Sequence, residues 1–315
     1  MDLFVAVTDG TWHEQLSSMS GLDEANFWKP RDQEEFKALR PGGVLLFKLK
    51  APLNAIVGGG VFAHWSLLPV SLAWDAFEER NGARSFAELR SRIERINRWV
   101  PRPQEDYKIG CIILEQPFFF DRADWIPQPA DWHPNIVQGK GYDTSNVVGR
   151  RLYADVQQRL ARGRVGAIGA AATSASMVSE PAARFGAPTL VTPRLGQGSF
   201  RVIVTDAFER RCAVTKERTL PVLEAAHIRP YGKGGEHRVD NGLLLRRDLH
   251  ALFDRGYVTV TPEYKFEVSR RLKEDFENGR DYYALHGREL WLPMAAGERP
   301  SAEYLSWHNE EKWLG

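Results

Sequence analysis

Three side chains in the second half of the chain have the types and spacing needed to cut a phosphodiester bond: His227, Asn241 and His250. His227 ends an apolar, strand-like run, and His250 lies in a short segment with helical spacing. On a helix His250 and Asp254, four residues apart, share one face and can both reach one metal ion. Phosphodiester hydrolysis needs a base that deprotonates water and a divalent cation that neutralises charge on the phosphate.

The elements around these residues form a compact pattern of strand, loop, strand and helix. A β-hairpin can place one histidine at a strand end, and the following helix can present the second histidine opposite it. His237 lies in the glycine-rich turn and is expected to be a solvated loop residue. The predicted elements are a helix over 200–210, strands over 222–228 and 241–245, a helix over 248–254 that a glycine at 256 ends, and a strand over 257–261.

This pattern resembles the HNH nucleases, the ββα-metal superfamily, and in particular the branch found in restriction-type endonucleases. The resemblance covers roughly residues 194–271. It depends on three motifs that occur together in order: His-Ile at 227, Asn-Gly-Leu-Leu-Leu at 241, and the His-Ala-Leu-Phe-Asp that ends at 254. The nine-residue offset from Asn241 to His250 is typical of the family.

The resemblance implies a role for each of the three residues and for a cofactor. His227 is expected to be the general base, Asn241 to brace the loop that orients it, and His250 to be a metal ligand. The cofactor is expected to be a divalent metal ion such as Mg²⁺ or Mn²⁺.

One position departs from the family pattern. Many HNH enzymes carry Asp or His immediately before the base as a second metal ligand, whereas this chain has Ala226. The shared helix face assigns that ligand to Asp254, with Glu224 as the alternative. Family members often carry paired zinc-binding cysteines; here only Cys212 lies in this region, so packing must hold the turn around it.

Charge is distributed unevenly, although the whole chain has 42 Lys and Arg against 41 Asp and Glu. Residues 194–273 carry 16 basic and 10 acidic side chains, and residues 274–315 carry 4 basic and 9 acidic ones. A locally basic surface suits contacts with a phosphate backbone. The candidate phosphate contacts are Arg201, Arg229, Arg246 and Arg247.

The first half of the chain predicts a mixed α+β domain. Three consecutive glycines at 58–60 interrupt one predicted strand, which indicates a bulge or a close approach by another backbone or a ligand. The predicted elements are strands over 2–7, 43–50, 55–62 and 108–114, and helices over 31–39 and 85–99.

The order of motifs in this half is similar to the PUA-like superfamily, in which EVE, YTH and SRA domains hold a modified or flipped base in an aromatic cage. That order is a tryptophan, a helix, a glycine turn, a strand and a glycine-containing strand. The resemblance implies Trp28 as the principal cage residue, Asn26 as a contact to the base edge and Trp74 as a second wall. The alternative is that these aromatic residues form a core.

Composition argues against a disulfide-rich, a membrane-spanning or a secreted protein. The 315 residues are 43% hydrophobic and 26% charged and include only two cysteines, which excludes a disulfide framework. No apolar run is long enough to span a bilayer, and the start lacks a signal-peptide pattern, so a cytoplasmic protein is expected. The small-residue composition predicts a linker over 161–193, between a PUA-like domain at 1–160 and an HNH nuclease domain with a C-terminal extension at 194–315. An alanine-rich helix through this segment is the alternative.

Together these features predict an α+β chain with a PUA-like, β-barrel-like first domain and a ββα-metal nuclease domain. The expected function is that of a modification-dependent DNA restriction endonuclease that reads a modified base, with modified cytosine as the favoured class. Double-stranded DNA is the expected partner. One HNH site cuts one strand, so double-strand cleavage calls for a dimer or two binding events, and a homodimer is expected. Two alternatives stay open: an HNH nuclease without modified-base specificity, and a non-catalytic nucleic-acid-binding protein.

Overall fold

The computed structural model describes residues 2–30, 34–97, 102, 105–171 and 195–315. The chain divides into two compact units, Met1–Pro193 and Arg194–Gly315. Among the described residues, no helix combines the length and the apolar character needed to cross a membrane.

The first unit is built on one seven-stranded sheet, so the mixed α+β class is confirmed. The strand order is β2-β5-β4-β3-β1-β7, with β6 paired to β4. Among the strands that the structure describes in this sheet, only β1 and β3 pair in parallel. No ladder joins the edge strands β2 and β7 within the described residues. The elements are β1 (Asp2–Thr8), α1 (Gly10–Ser17), β2 (Glu24–Lys29), β3 (Val44–Leu49), β4 (Ala55–Pro69), α2 (Val70–Phe77), α3 (Phe86–Asn97), β5 (Lys108–Phe119), β6 (Ile126–Pro127), β7 (Gly139–Asp143) and α4 (Val147–Ala171).

The three glycines of β4 lie where neighbouring strands approach closely, as their sequence indicates. A Cβ on Gly58 would lie 2.2 Å from the carbonyl oxygen of Phe118 in β5, and one on Gly59 would lie 2.7 Å from that of Leu45 in β3. The pairing of β4 with β5 also shifts register between Gly59 and Val61. Both predicted features, a bulge and a close backbone approach, are therefore present.

The helix predicted over 31–39 is not found where the structure describes the chain. Residues 31–33 lie outside the described residues, and residues 34–39 are irregular. Phe36 and Leu39 are both buried, and the Phe36 ring contacts Phe4 and Phe62 edge-on at 5.2 and 5.3 Å. The apolar spacing thus reflects the burial of Phe36 and Leu39 in the core. An irregular segment can bury these two side chains as well as a helix can.

The segment predicted as a linker begins inside a helix. Helix α4 continues to Ala171, so an alanine-rich helix, the alternative at the sequence level, covers the start of this segment. Residues 172–194 lie outside the described residues. The helix predicted over 85–99 is present as α3, and its last two positions also lie outside the described part.

The second unit contains the predicted strand, loop, strand and helix. Strands β8 and β9 pair antiparallel, and α6 follows β9 without a break. Gly256 ends α6 with a φ of +76°, and a Cβ there would lie 1.9 Å from the carbonyl oxygen of Lys312. The elements are α5 (Gln197–Ala207), β8 (Leu223–His227), β9 (Gly242–Arg246), α6 (Arg247–Asp254), β10 (Val258–Val260), β11 (Phe266–Val268), α7 (Arg271–Phe276), α8 (Arg280–Tyr283) and α9 (Ala302–Glu311).

The turn around Cys212 is held by packing and backbone hydrogen bonds. Cys212 is fully buried, and its backbone N–H donates to Glu217 O at 2.8 Å. The next N–H, that of Ala213, donates to Leu244 O of β9 at 2.7 Å. The first bond closes the turn, and the second ties it to the hairpin.

Two carboxyl groups are buried opposite each other in the first unit. Glu24 of β2 pairs with Glu115 of β5, and both side chains are fully buried. Neither carboxyl oxygen of Glu115 has a hydrogen-bond partner within the described part of the chain. Burial first, and then the neighbouring Glu24, raises the pKa of Glu115 to about 8. Glu115 is therefore a neutral acid at pH 7.

This raised pKa predicts a specific dependence of stability on pH. The folded-state pKa lies above the ordinary value of 4.5, so the stabilising contribution is complete below about pH 4.5 and is lost as pH rises through 8. Glu115→Gln removes the charge and should raise the thermal unfolding midpoint at pH 9 while leaving it nearly unchanged at pH 5. At pH 9 the substitution should raise the free energy of unfolding by an amount on the order of a few kcal/mol. Circular dichroism of the full chain measures it, with the exposed Glu79→Gln as the control; equal shifts at both pH values would contradict this account.

Candidate active site

The hairpin and helix of the second unit bring the three motif residues into one structure. His227 is the last residue of β8 and pairs with Gly242, the first residue of β9. Asn241 immediately precedes that strand, and α6 carries His250 directly after it. His250 contacts Glu224, which lies on β8 three residues before His227, so α6 faces the strand that carries His227.

Asn241 holds together the two ends of the loop between β8 and β9. Its side chain is fully buried. Its Oδ1 accepts from the backbone N–H of Arg229 at 2.9 Å, and its Nδ2 donates to the carbonyl oxygens of Arg229 and Glu236, both at 2.9 Å. The loop closes so tightly that a Cβ on Gly235 would lie 1.8 Å from Arg229 O. The position of the loop therefore depends on one buried amide and one glycine.

The His227 ring is fixed by stacking on a buried phenylalanine. The ring centroids of His227 and Phe200 lie 3.8 Å apart with an interplanar angle of 10°, and Phe200 is fully buried. Burial, followed by the charges of His237 and His250, lowers the pKa of His227 to about 4. His227 is therefore neutral at pH 7 and has a nitrogen lone pair that can accept a proton.

His237 is not the solvated loop residue that its glycine-rich context suggests. Its Nδ1 lies 2.8 Å from His227 Nε2, and its ring stacks on Tyr231 at 5.1 Å with an interplanar angle of 11°. The sequence signal for this contact is the turn at Gly234 and Gly235, which reverses the chain. The reversed chain returns a histidine to the strand end that carries His227.

His250 lies between two carboxylates. Its Nδ1 is 2.9 Å from Glu224 Oε2, and its Nε2 is 3.4 Å from Asp254 Oδ2. Burial by itself would raise the pKa of Glu224, but the hydrogen bond and charge of His250 hold that pKa below its ordinary value. The guanidinium groups of Arg247 and Arg201 act in the same direction. Both candidates for the second ligand thus contact His250.

These residues fit an open metal site rather than a closed one. Within the described residues, no group of three or more His, Cys, Asp or Glu side chains is arranged to hold a metal ion. His250 with one carboxylate supplies two ligands, and a hard cation such as Mg²⁺ commonly completes its shell with water and substrate phosphate oxygens. Ala226 is fully buried and offers no ligand.

The four candidate arginines have different surroundings. Arg247 has a side chain 67% exposed, and its Nε lies 2.9 Å from Glu224 Oε1. Arg246 forms a two-bond contact with Asp248, with Nε 3.0 Å from Oδ1. The Arg229 guanidinium lies 5.4 Å from the centre of the Trp307 ring. Arg201 and Arg247 are both exposed, and Arg247 also contacts Glu224, one of the metal-binding candidates.

Of the three residues expected to read a base, Asn26 is fully buried and the two tryptophans are partly buried. Asn26 is fully buried, and its Nδ2 donates to Asn81 Oδ1 at 2.9 Å, so its amide is a structural group of the sheet in this structure. Trp28 is half-buried, and its indole N–H donates to Asn81 O at 2.8 Å. Trp74 packs against Phe86 at 6.4 Å. No ring contact joins the two tryptophans in the described part of the chain.

Comparison with known proteins assigns the hairpin-helix segment to a family. Residues 212–261 match the model of the family described as HNH endonuclease. This segment is an HNH endonuclease domain. The matched range contains β8, β9, α6 and β10, and so includes the motif residues of the HNH domain.

The other comparisons add little to this assignment. No curated protein sequence matches the chain. Among solved structures, a chain described as "Modification dependent TagI restriction endonuclease" matches with 13% identity and a TM-score of 0.27, over 99% of this chain and 81% of that chain. A TM-score this low does not support a shared fold.

The contacts of His250 predict which carboxylate affects metal binding most. If Glu224 accepts the Nδ1–H proton, His250 binds the cation through Nε2, on the side of Asp254. Asp254→Asn should then weaken Mn²⁺ binding about ten-fold or more, and Glu224→Gln should weaken it less. Isothermal titration of the full chain with Mn²⁺ measures both, with the exposed Glu263→Gln as control. The reverse order of effects would assign the ligand to Glu224.

Proposed function

We propose that the protein is a metal-dependent DNA endonuclease whose HNH domain hydrolyses the backbone and whose first unit selects DNA that carries a modified base. The observation that carries the nuclease part is the assembly of His227, Asn241 and His250 in one ββα unit. A modified cytosine is the favoured target class, by the resemblance of the motif order in the first unit to PUA-like domains.

The residues of the HNH domain divide the chemistry between them. Neutral His227 accepts a proton from the attacking water, and Asn241 keeps the loop beside it closed. His250, with Asp254 or Glu224, would hold a divalent cation, which when bound neutralises charge on the scissile phosphate. Arg247 is placed to contact an adjacent phosphate because its side chain is exposed beside this cluster.

The first unit supplies target selection through stacking in this proposal. The half-exposed ring of Trp28 is the candidate stacking surface, and stacking on one aromatic ring is worth about 1–3 kcal/mol per base. A single HNH domain cuts one strand, so cleavage of both strands calls for a dimer or for two binding events, and a homodimer on double-stranded DNA is part of the proposal.

Cleavage of matched DNA substrates tests the nuclease proposal. The substrates are unmodified, methylated, hydroxymethylated and glucosylated DNA, each with Mg²⁺, Mn²⁺, Ni²⁺ or Zn²⁺. His227→Ala should lose cleavage by at least about 100-fold, the lower end of what general-base catalysis contributes, and should keep its affinity for DNA. His286→Ala, in the same unit and outside the site, serves as control.

The outcomes separate the competing functions. A wild-type protein that binds DNA but cuts no substrate with any metal would be a non-catalytic binder. A wild-type protein that cuts all substrates equally would be a nuclease without modified-base specificity. Wild-type cleavage by His227→Ala would remove the base assignment.

Two substitutions of Trp28 separate stacking from structure. Trp28→Ala should remove the preference for modified DNA while leaving slow cleavage that is equal on both substrates. Trp28→Phe lacks the N–H that bonds to Asn81. It keeps an aromatic face, so it should retain most of the preference for modified DNA. The ratio of cleavage rates on paired substrates measures this, with circular dichroism as the test of folding. Full discrimination by folded Trp28→Ala would move the pocket elsewhere, with Trp74 as the next candidate.

A further inference from the structure

The two histidines at the end of β8 form a pair whose geometry restricts their protonation states. His227 Nε2 and His237 Nδ1 lie 2.8 Å apart, a hydrogen-bond distance, with ring planes at 65°. Between two neutral imidazoles, one nitrogen must carry the proton and the other must accept it. In the described second unit, His227 makes no other side-chain hydrogen bond, so its Nδ1 is left without a protein partner.

Both rings are also held in place by stacking on an aromatic neighbour. Phe200 stacks on His227 at 3.8 Å, and Tyr231 stacks on His237 at 5.1 Å. The backbone just before His237 is fixed as well, because Glu236 O accepts from the buried amide of Asn241 at 2.9 Å. The pair is therefore set by the loop that Asn241 closes and is not a chance contact of two mobile side chains.

Only one of the two tautomeric arrangements leaves His227 able to act as a base. If His237 donated to His227 Nε2, the proton of neutral His227 would be on Nδ1, and neither nitrogen could take a proton from water. If His227 Nε2–H donates to His237 Nδ1, His227 Nδ1 carries a lone pair with no partner in the protein. The hydrogen bond thus decides which nitrogen reacts.

We propose that His237 is a positioning residue that accepts a hydrogen bond from His227 Nε2–H and so makes His227 Nδ1 the proton-accepting atom. This proposal rests on the nuclease function proposed above. In the reaction, a water proton moves to His227 Nδ1 as the water oxygen bonds to phosphorus. The P–O bond to the leaving oxygen breaks, and that oxygen takes a proton from solvent. The resulting His227 imidazolium keeps Nε2–H bonded to His237, which stabilises the positive charge.

Two variants of His237 separate positioning from packing. His237→Ala removes the acceptor, whereas His237→Asn can present an amide oxygen near the position of Nδ1. With the wild type and the His286→Ala control, the measurements are the single-turnover cleavage rate at saturating DNA, the DNA dissociation constant, and the tautomer of His227 from ¹⁵N NMR of the metal-free full chain. His227→Ala assigns the NMR signal.

The proposal predicts a loss in rate without a loss in binding. His237→Ala should cut about 10- to 100-fold more slowly, the range typical of partners that fix a histidine tautomer, with an unchanged DNA dissociation constant. His237→Asn should recover most of that rate. The NMR spectrum should show His227 protonated on Nε2 in the wild type and in His237→Asn, and a mixture of tautomers in His237→Ala.

Three results would overturn the proposal. These are a wild-type rate for His237→Ala, equal losses in both variants with an unchanged His227 tautomer, or a wild-type His227 protonated on Nδ1. The NMR measurement needs neither metal nor DNA. A wild-type protein that cuts no DNA but shows the Nε2–H tautomer would therefore count against the proposed function and not against the role of His237 in the pair.

Discussion

The geometry of the candidate site depends on the buried side chain of Asn241. Its amide makes three hydrogen bonds to the backbone of the loop between β8 and β9, two to Arg229 and one to Glu236. The amide is fully buried. If one of these hydrogen bonds is lost, a buried polar group is left without a partner, which costs about 1–3 kcal/mol. The same loop carries His237 back to His227, so one amide couples loop closure to the contact between the two histidines.

Two electrostatic environments lie side by side in the HNH domain. His227 is held neutral at pH 7 by burial and by neighbouring histidines, which suits a group that must accept a proton. Beside His250 a charged group is favoured instead. Burial alone would raise the pKa of Glu224, but His250 and two arginines hold that pKa low, so this carboxylate is charged. A charged carboxylate and a histidine suit cation binding, and a neutral imidazole suits proton transfer. The division of roles follows from which groups surround each histidine.

The sequence predicted the parts of the site that depend on local spacing. The strand before His227 and the helix that carries His250 and Asp254 follow from apolar periodicity and a glycine stop, and both elements are present. The contact of His237 with His227 depends on how the loop between β8 and β9 folds back; Gly234 and Gly235 indicate a turn there, but they do not indicate which side chains the turn brings together. The contact between Glu224 and His250 joins residues 26 positions apart, so it too required the tertiary structure. The same limit explains the helix predicted over 31–39, where apolar spacing marked two anchors to the core.

Chemical rescue of a variant without the His227 ring tests the central claim most directly. His227→Gly leaves a cavity against Phe200 in which free imidazole can bind. If His227 acts as the proton acceptor, added imidazole should restore DNA cleavage to His227→Gly in a saturable manner, and it should not restore cleavage to His250→Ala. Failure of imidazole to restore cleavage to His227→Gly, while the wild type cuts the same DNA, would contradict the account, as would equal rescue of both variants.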